Sequence, residues 1–156
     1  MKFSKIKLNR QGNFILGILL IFFFFFGYIA NEYPKTRGGV YTFKEELIFL
    51  HQFLFNPTSY FSFIILFTIV FIIAIRENFF EYAIRNSIWL IPVILLISWI
   101  WYWILFGFDA SVFYIYFIRI EGYLTILSLL CINLLAAISA SIINEKRREI
   151  REKYLD

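Results

Sequence analysis

NSIWLIPVILLISWIWYWILFGF, Asn86 to Phe108, is 23 residues long and contains no Lys, Arg, Asp or Glu. Phe14 to Ala30, Leu47 to Ile75 and Gly122 to Asn144 are equally free of charge. Each stretch holds at least 17 residues, which as helix reach roughly 25 Å or more, close to the roughly 30 Å of hydrocarbon in a bilayer. Charge is crowded into the segments between. The pattern predicts an all-α integral membrane bundle of four transmembrane helices, forming one domain over 1–156. The crossings are expected near 14–30, 57–75, 86–106 and 122–144, with outer loops at 31–56 and 107–121.

Composition narrows the class further. Of 156 residues, 61% are hydrophobic and 22% aromatic, which leaves no room for a soluble domain beside the bundle. The net charge of +4 matters through its placement. Lys2, Lys5, Lys7 and Arg10 precede the first crossing, and Lys146, Arg147, Arg148, Arg151 and Lys153 follow the last. Adding Arg76 and Arg85, this side holds 11 of the 15 Lys and Arg, against Lys35, Arg37, Lys44 and Arg119 opposite. Basic flanks of membrane helices explain the excess without a nucleic-acid partner. The positive-inside bias places both termini in the cytoplasm, as an even number of crossings requires. The first apolar stretch is expected to be an uncleaved anchor, because a cut after Ala30 would put the bulky Tyr28 where a small residue is needed.

Along the chain, the run Phe22 to Phe26 has no helical face and reads as a wall exposed to lipid, with Gly17 and Gly27 as points of close helix approach. Pro34 and Gly38-Gly39 break any helix in the outer loop. Phe43 to Phe55 predicts a short helix lying at the outer surface, ended by a turn at Asn56-Pro57. RENFFEYAIR, Arg76 to Arg85, makes a short hairpin connection in which Glu81 and Arg85 are spaced to pair at i and i+4. Trp99, Trp101, Tyr102 and Trp103 form an interfacial aromatic belt. The aromatic loop after Gly107 is expected to rest on the headgroups or pack over the bundle. In the fourth crossing Ala136, Ala137, Ala140 and Ser141 stand at i and i+4 spacings that let helices pack closely.

No Asp, Glu, Lys or Arg falls at hydrocarbon depth, where a charge marks an ion path or proton relay. A pump or secondary transporter is therefore disfavoured. A single histidine, His51, builds neither a bis-histidine haem nor a histidine metal site, and it reads as an interfacial residue. Cys131 is a lone thiol that behaves as a small hydrophobe. Neither catalytic residues nor metal or cofactor ligands are expected. What remains is surface for a membrane-embedded protein partner and for the bilayer. The candidate contacts are Asn133, whose amide can bridge helices within the bundle or to a partner, Trp99 and Trp103 on one helix face, Asp109 on the outer loop, and Arg119 near Glu121 on the outer rim.

The plan of basic start, first crossing, long outer loop ending in a Pro-containing turn, tight hairpin and basic end resembles the immunity proteins of pore-forming colicins. Arg76-Glu77 after the second crossing, Ser87 followed by Pro92-Val93 in the third, and Leu105-Phe106 leaving it are similar to the corresponding stretch of that family. Asp109-Ala110-Ser111 and an aromatic run replace that family's small polar outer loop. The resemblance implies a non-enzymatic inner-membrane protein that meets a toxin's hydrophobic helices and blocks channel opening. A second likeness competes. Asn56-Pro57 and Phe80-Glu81-Tyr82-Ala83-Ile84-Arg85 are similar to segments of export ABC permeases, which usually have about two more crossings and act with an ATPase. A structural subunit of a larger membrane complex is the third reading.

Overall fold

Apolar runs excluded from water must pair their backbone groups internally, and a helix does so within one segment. The computed structural model describes residues 2–28, 48–55, 61–77 and 79–153, and it has helices and no strand among them. Helix α1 (Lys2–Leu20) continues through a π-helical turn at Ile21–Phe25. It is followed by α2 (Phe49–Leu54), α3 (Phe61–Ile75), α4 (Phe80–Phe106), α5 (Ser111–Ile118) and α6 (Ile120–Lys153). The expected helix breakers at Pro34 and Gly38-Gly39, the start of the surface helix at Phe43, the turn at Asn56-Pro57 and the start of the second crossing lie outside the described residues.

Gln11–Tyr28, Phe80–Phe106 and Ile120–Ile150 are long and apolar enough to cross a membrane, while α3 is apolar but spans only 15 described residues. These helices mark an integral membrane protein. Helix α6 packs most extensively on α3 and α4, and α1 packs against the same two helices. Thr125, Leu129, Asn133, Ala136, Ala137, Ala140 and Ser141 make the buried seam of α6. Their spacing of three and four follows one helix face, and all but Leu129 are small or polar. Short side chains on this seam let the backbones of α3 and α4 come close. On α3 the matching face is Ser62, Leu66, Ile69, Val70, Ile73 and Ala74. At Gly17 a Cβ would stand 2.6 Å from Ile73 Cδ1 and 3.5 Å from Leu90 Cδ2, so α1 meets both neighbours there.

Several expectations are corrected. The phenylalanine run is not a uniform lipid wall: Phe23 and Phe24 are exposed, but Ile21, Phe25 and Phe26 are fully buried and Phe22 tilts against Trp101 at 5.9 Å. Identical side chains offer no contrast for a sequence pattern, so the neighbouring helices choose which ones turn inward. The N–H of Phe26 bonds to Ile21 O, the i to i+5 pattern of a π turn. Among the described residues nothing lies within 4 Å of a Cβ added at Gly27, so none of them makes a close approach there. The loop 107–121 is itself largely helical, through α5 and the first residues of α6. The hairpin is tighter than the charge pattern implied, since α4 already begins at Phe80. Arg85 lies over the Tyr82 ring, 4.9 Å from its centroid, a partner that its spacing to Glu81 did not indicate. Pro92 is accommodated inside α4, as prolines in membrane helices commonly are.

Candidate functional site

Two polar constellations organise the bundle, one at each end. At the first, α3 ends at Ile75 and its last turn tightens, with Arg76 N donating to Ile73 O at 3.3 Å and Glu77 N to Ala74 O at 3.1 Å. The Ile75 carbonyl, left over by the helix end, accepts from Asn144 Nδ2 of α6 at 2.8 Å, and the same amide reaches the Glu77 carbonyl at 3.2 Å. Glu77 turns its side chain inward and is only 7% exposed. Its Oε1 accepts from Asn13 Nδ2 of α1 and from Asn86 Nδ2 of α4, each at 3.1 Å. One junction therefore ties all four long helices. It also fixes their directions: α1 and α4 leave from this end and α3 and α6 return to it, which puts the chain's first and last described residues on one side.

The distal end is aromatic. Asp109 forms a local turn, accepting from Ser111 N at 2.8 Å and from Ser111 Oγ at 2.6 Å. Those two bonds hold its carboxyl below the ordinary carboxylate range. Trp103 Nε1 donates to Asp109 O at 3.0 Å, which fastens the turn to α4. Helix α5 then lies on the bundle through Val112 and Tyr116. Trp99 meets Phe113 at 4.6 Å and Tyr116 at 5.7 Å, both edge to face. Burial pushes the Tyr116 hydroxyl well above its ordinary pKa. Ser98 lies close enough to ease that rise, yet its own hydroxyl is committed to Leu95 O at 2.7 Å, and among the described residues the Tyr116 oxygen has no hydrogen-bond partner of good geometry. Gly122 closes the corner, because a Cβ there would overlap the Tyr116 carbonyl.

His51 joins α2 to this end. Thr125 Oγ1 donates its proton to Glu121 O at 2.7 Å, so in the 3.1 Å contact between His51 Nδ1 and Thr125 Oγ1 the imidazole N–H is the donor. Partial burial lowers the imidazole's pKa from 6.5, with the Glu121 carboxylate and carbonyl opposing.

The candidate contacts fall in different places. Asn133 is fully buried and donates to Ser87 O at 3.0 Å, which closes off partner access while the bundle is intact. Trp99 is buried under α5, whereas Trp103 is partly exposed and Asp109 exposed. Arg119 is partly exposed in the extended residue between α5 and α6. The structure thus groups Trp99, Trp103, Asp109 and Arg119 at one end and leaves Asn133 inside. Ala136, Ala137 and Ala140 are fully buried, and Ser141 is nearly so.

Sequence reasoning did not give Glu77, Asn13, Asn86 or Asn144 a role in joining helices. A signal was present: an Asn adjoins the basic-side boundary of the first, third and fourth apolar stretches. Equal depth on three helices is readable from that, but their common acceptor is not. Among the described residues no three His, Cys, Asp or Glu side chains gather to hold a metal, and both constellations bind helices together. No protein-family model, curated protein or solved structure gives a significant match to this chain.

Proposed function

We propose that the chain is a four-crossing protein of the bacterial inner membrane, with both termini cytoplasmic, that acts without catalysis as an immunity protein. It binds a membrane-inserted pore-forming bacteriocin and blocks opening of its channel. Support for four crossings comes from the antiparallel course of α1, α3, α4 and α6. The 15 residues described for α3 reach about 22 Å. The Lys and Arg excess on the terminal side supports the orientation.

The observation that carries the function is α5. Its sequence, SVFYIYFI, is apolar on nearly every side. Val112 and Tyr116 face the bundle while Tyr114, Phe117 and Ile118 are exposed, with Phe108 and Ile120 exposed on either side. A contiguous exposed apolar surface of this kind belongs in lipid or against a partner. Because its Tyr116 is seated against Trp99 of α4 and Gly122 lets α6 start close beneath it, the outer face of α5 is presented as a firm surface. An apolar toxin helix arriving in the outer leaflet can dock there by side-chain packing, and holding one helix away from its neighbours prevents a pore from assembling.

The test is expression of the chain alone in bacteria sensitive to a panel of pore-forming bacteriocins, followed with a membrane-potential dye. Protection from depolarisation by one cognate toxin is expected, with no protection against a nuclease bacteriocin imported through the same receptor. Tyr114→Lys with Phe117→Lys should abolish protection while the protein remains in the membrane. Protection against the nuclease toxin, dependence on a partner ATPase, or no protection from any pore former would overturn the reading.

A further inference from the structure

Helices α1 and α4 both leave the basic end, and between them lies a groove of about 570 Å³ lined by Gln11, Phe14, Ile15, Arg85, Asn86 and Trp89. Positions 11, 14 and 15 share one face of α1, as positions 85, 86 and 89 share one face of α4. Since the two helices run in the same direction, the walls are in register. Gln11, Arg85 and Asn86 stand at the basic end, and Phe14, Ile15 and Trp89 stand about one turn further into the bundle. Polar groups therefore face the membrane boundary and apolar groups the hydrocarbon on both walls. Further inward the groove is closed, because α1 meets Ile73 and Leu90 at Gly17. On the inner side Asn86 is held by Glu77 at 3.1 Å, so its amide is a fixed part of the floor.

We infer that this groove is a binding site for an anionic phospholipid of the leaflet on the basic side. Its phosphate would lie against Arg85 and Gln11, and the start of one acyl chain against Phe14, Ile15 and Trp89. Charge complementarity selects this occupant over a second apolar helix. Arg85 is exposed at the mouth, and α1 carries Lys2, Lys5, Lys7 and Arg10 in the turns immediately before Gln11. An apolar helix would bring nothing to answer that charge, whereas basic clefts between membrane helices suit anionic headgroups. Tyr82 beneath the Arg85 guanidinium holds it in place at 4.9 Å, which orders the cation before the lipid arrives. Ile15 and Trp89, 56% and 61% exposed, supply the apolar surface that a chain would cover. The inference requires only that α1 and α4 lie in a membrane, and it is independent of the immunity reading.

The experiment uses the full chain purified in mild detergent and offered phosphatidylglycerol or phosphatidylcholine with identical acyl chains, with retained lipid read by native mass spectrometry. One phosphatidylglycerol per chain is expected, preferred by about fivefold, the effect of one basic group near an anionic headgroup. Arg85→Gln should remove the preference, Arg85→Lys should keep most of it, and Trp89→Ala should weaken retention of both lipids. Lys153→Gln, at the last residue of α6 and not part of the groove lining, should change nothing. Phosphatidylglycerol with brominated chains should also quench the fluorescence of the unaltered chain more than that of Trp89→Phe. Equal retention of the two lipids, an unchanged preference in Arg85→Gln, the same loss in Lys153→Gln, or full displacement by glycerol phosphate without acyl chains would overturn the site.

Discussion

Asn13 and Glu77, 64 residues apart in sequence, meet through an amide-to-carboxylate hydrogen bond of 3.1 Å at the basic end of the bundle. The bond joins the first helix to the connection between α3 and α4, and Asn86 reaches the same oxygen from the far side of that connection. A carboxylate this enclosed is tolerable because donors from two helices replace the water it has lost.

Glu77→Gln retains an oxygen that can accept from both amides, so only a modest loss of stability is expected. Glu77→Ala removes the acceptor and leaves two amides unsatisfied, at about 1–3 kcal/mol for each buried group. Thermal unfolding in detergent should rank the chains as unaltered, then Glu77→Gln, then Glu77→Ala. Equal midpoints for the two variants would mean that the junction is solvated and contributes little.

Adjacent phenylalanines should behave very differently. Phe25 is 0% exposed and Phe24 is 64% exposed. Phe25→Ala should cost about 3–5 kcal/mol, as large core truncations do, while Phe24→Ala should leave the amount of folded protein nearly unchanged. In α6, Ala137→Leu should lower folded protein for the opposite reason, since bulk at a fully buried seam position forces helices apart. Quantifying monodisperse protein by size-exclusion chromatography checks all three.

Two glycines make a second contrast. A Cβ at Gly122 would overlap the Tyr116 backbone, which cannot step aside without moving α5. At Gly17 the obstacle is the far end of the Ile73 side chain, which can turn. Gly122→Ala should therefore detach α5, raising the accessibility of Trp99 to an aqueous fluorescence quencher, and Gly17→Ala should be tolerated with a small drop in melting temperature.

The His51 contact has a pH signature. Because burial lowers its folded-state pKa, the unfolded chain takes up a proton first as pH falls below 6.5. The stabilisation by neutral His51 is fully present above 6.5 and is lost as pH drops toward the folded-state value, below which the penalty stays constant. Melting temperatures taken from neutral to mildly acidic pH should fall less in His51→Gln than in the unaltered chain. Parallel curves would place the acid sensitivity in another group.

Orientation can be read chemically. In a Cys131→Ser background, chosen because Cys131 is exposed, Ser111→Cys should react with an impermeant thiol reagent in intact cells and Ser4→Cys should not. Labelling at position 4 would reverse the assignment of sides.

How much was legible in advance depends on the range of the interaction involved. Helix type and membrane character follow from uninterrupted apolar length, because transferring charges and unpaired backbone groups to hydrocarbon costs the same wherever the segment lies in the chain. The i and i+4 spacing of Ala136, Ala137, Ala140 and Ser141 was equally plain, since a small-residue face is a property of one helix. By contrast, Phe25 differs from Phe24 only in what stands beside it, and Gly122 differs from Gly27 only through the carbonyl of Tyr116. Asn133 shows the boundary well: its depth was readable from its own stretch, but its partner, Ser87 O, lies 46 residues away. The sequence by itself determined an apolar helical protein with a basic side, through terms that each segment carries alone. Only the tertiary structure decided which phenylalanines face inward, that Glu77 is the common acceptor, and that α5 covers Trp99, because those outcomes depend on pairs of surfaces brought together from distant parts of the chain.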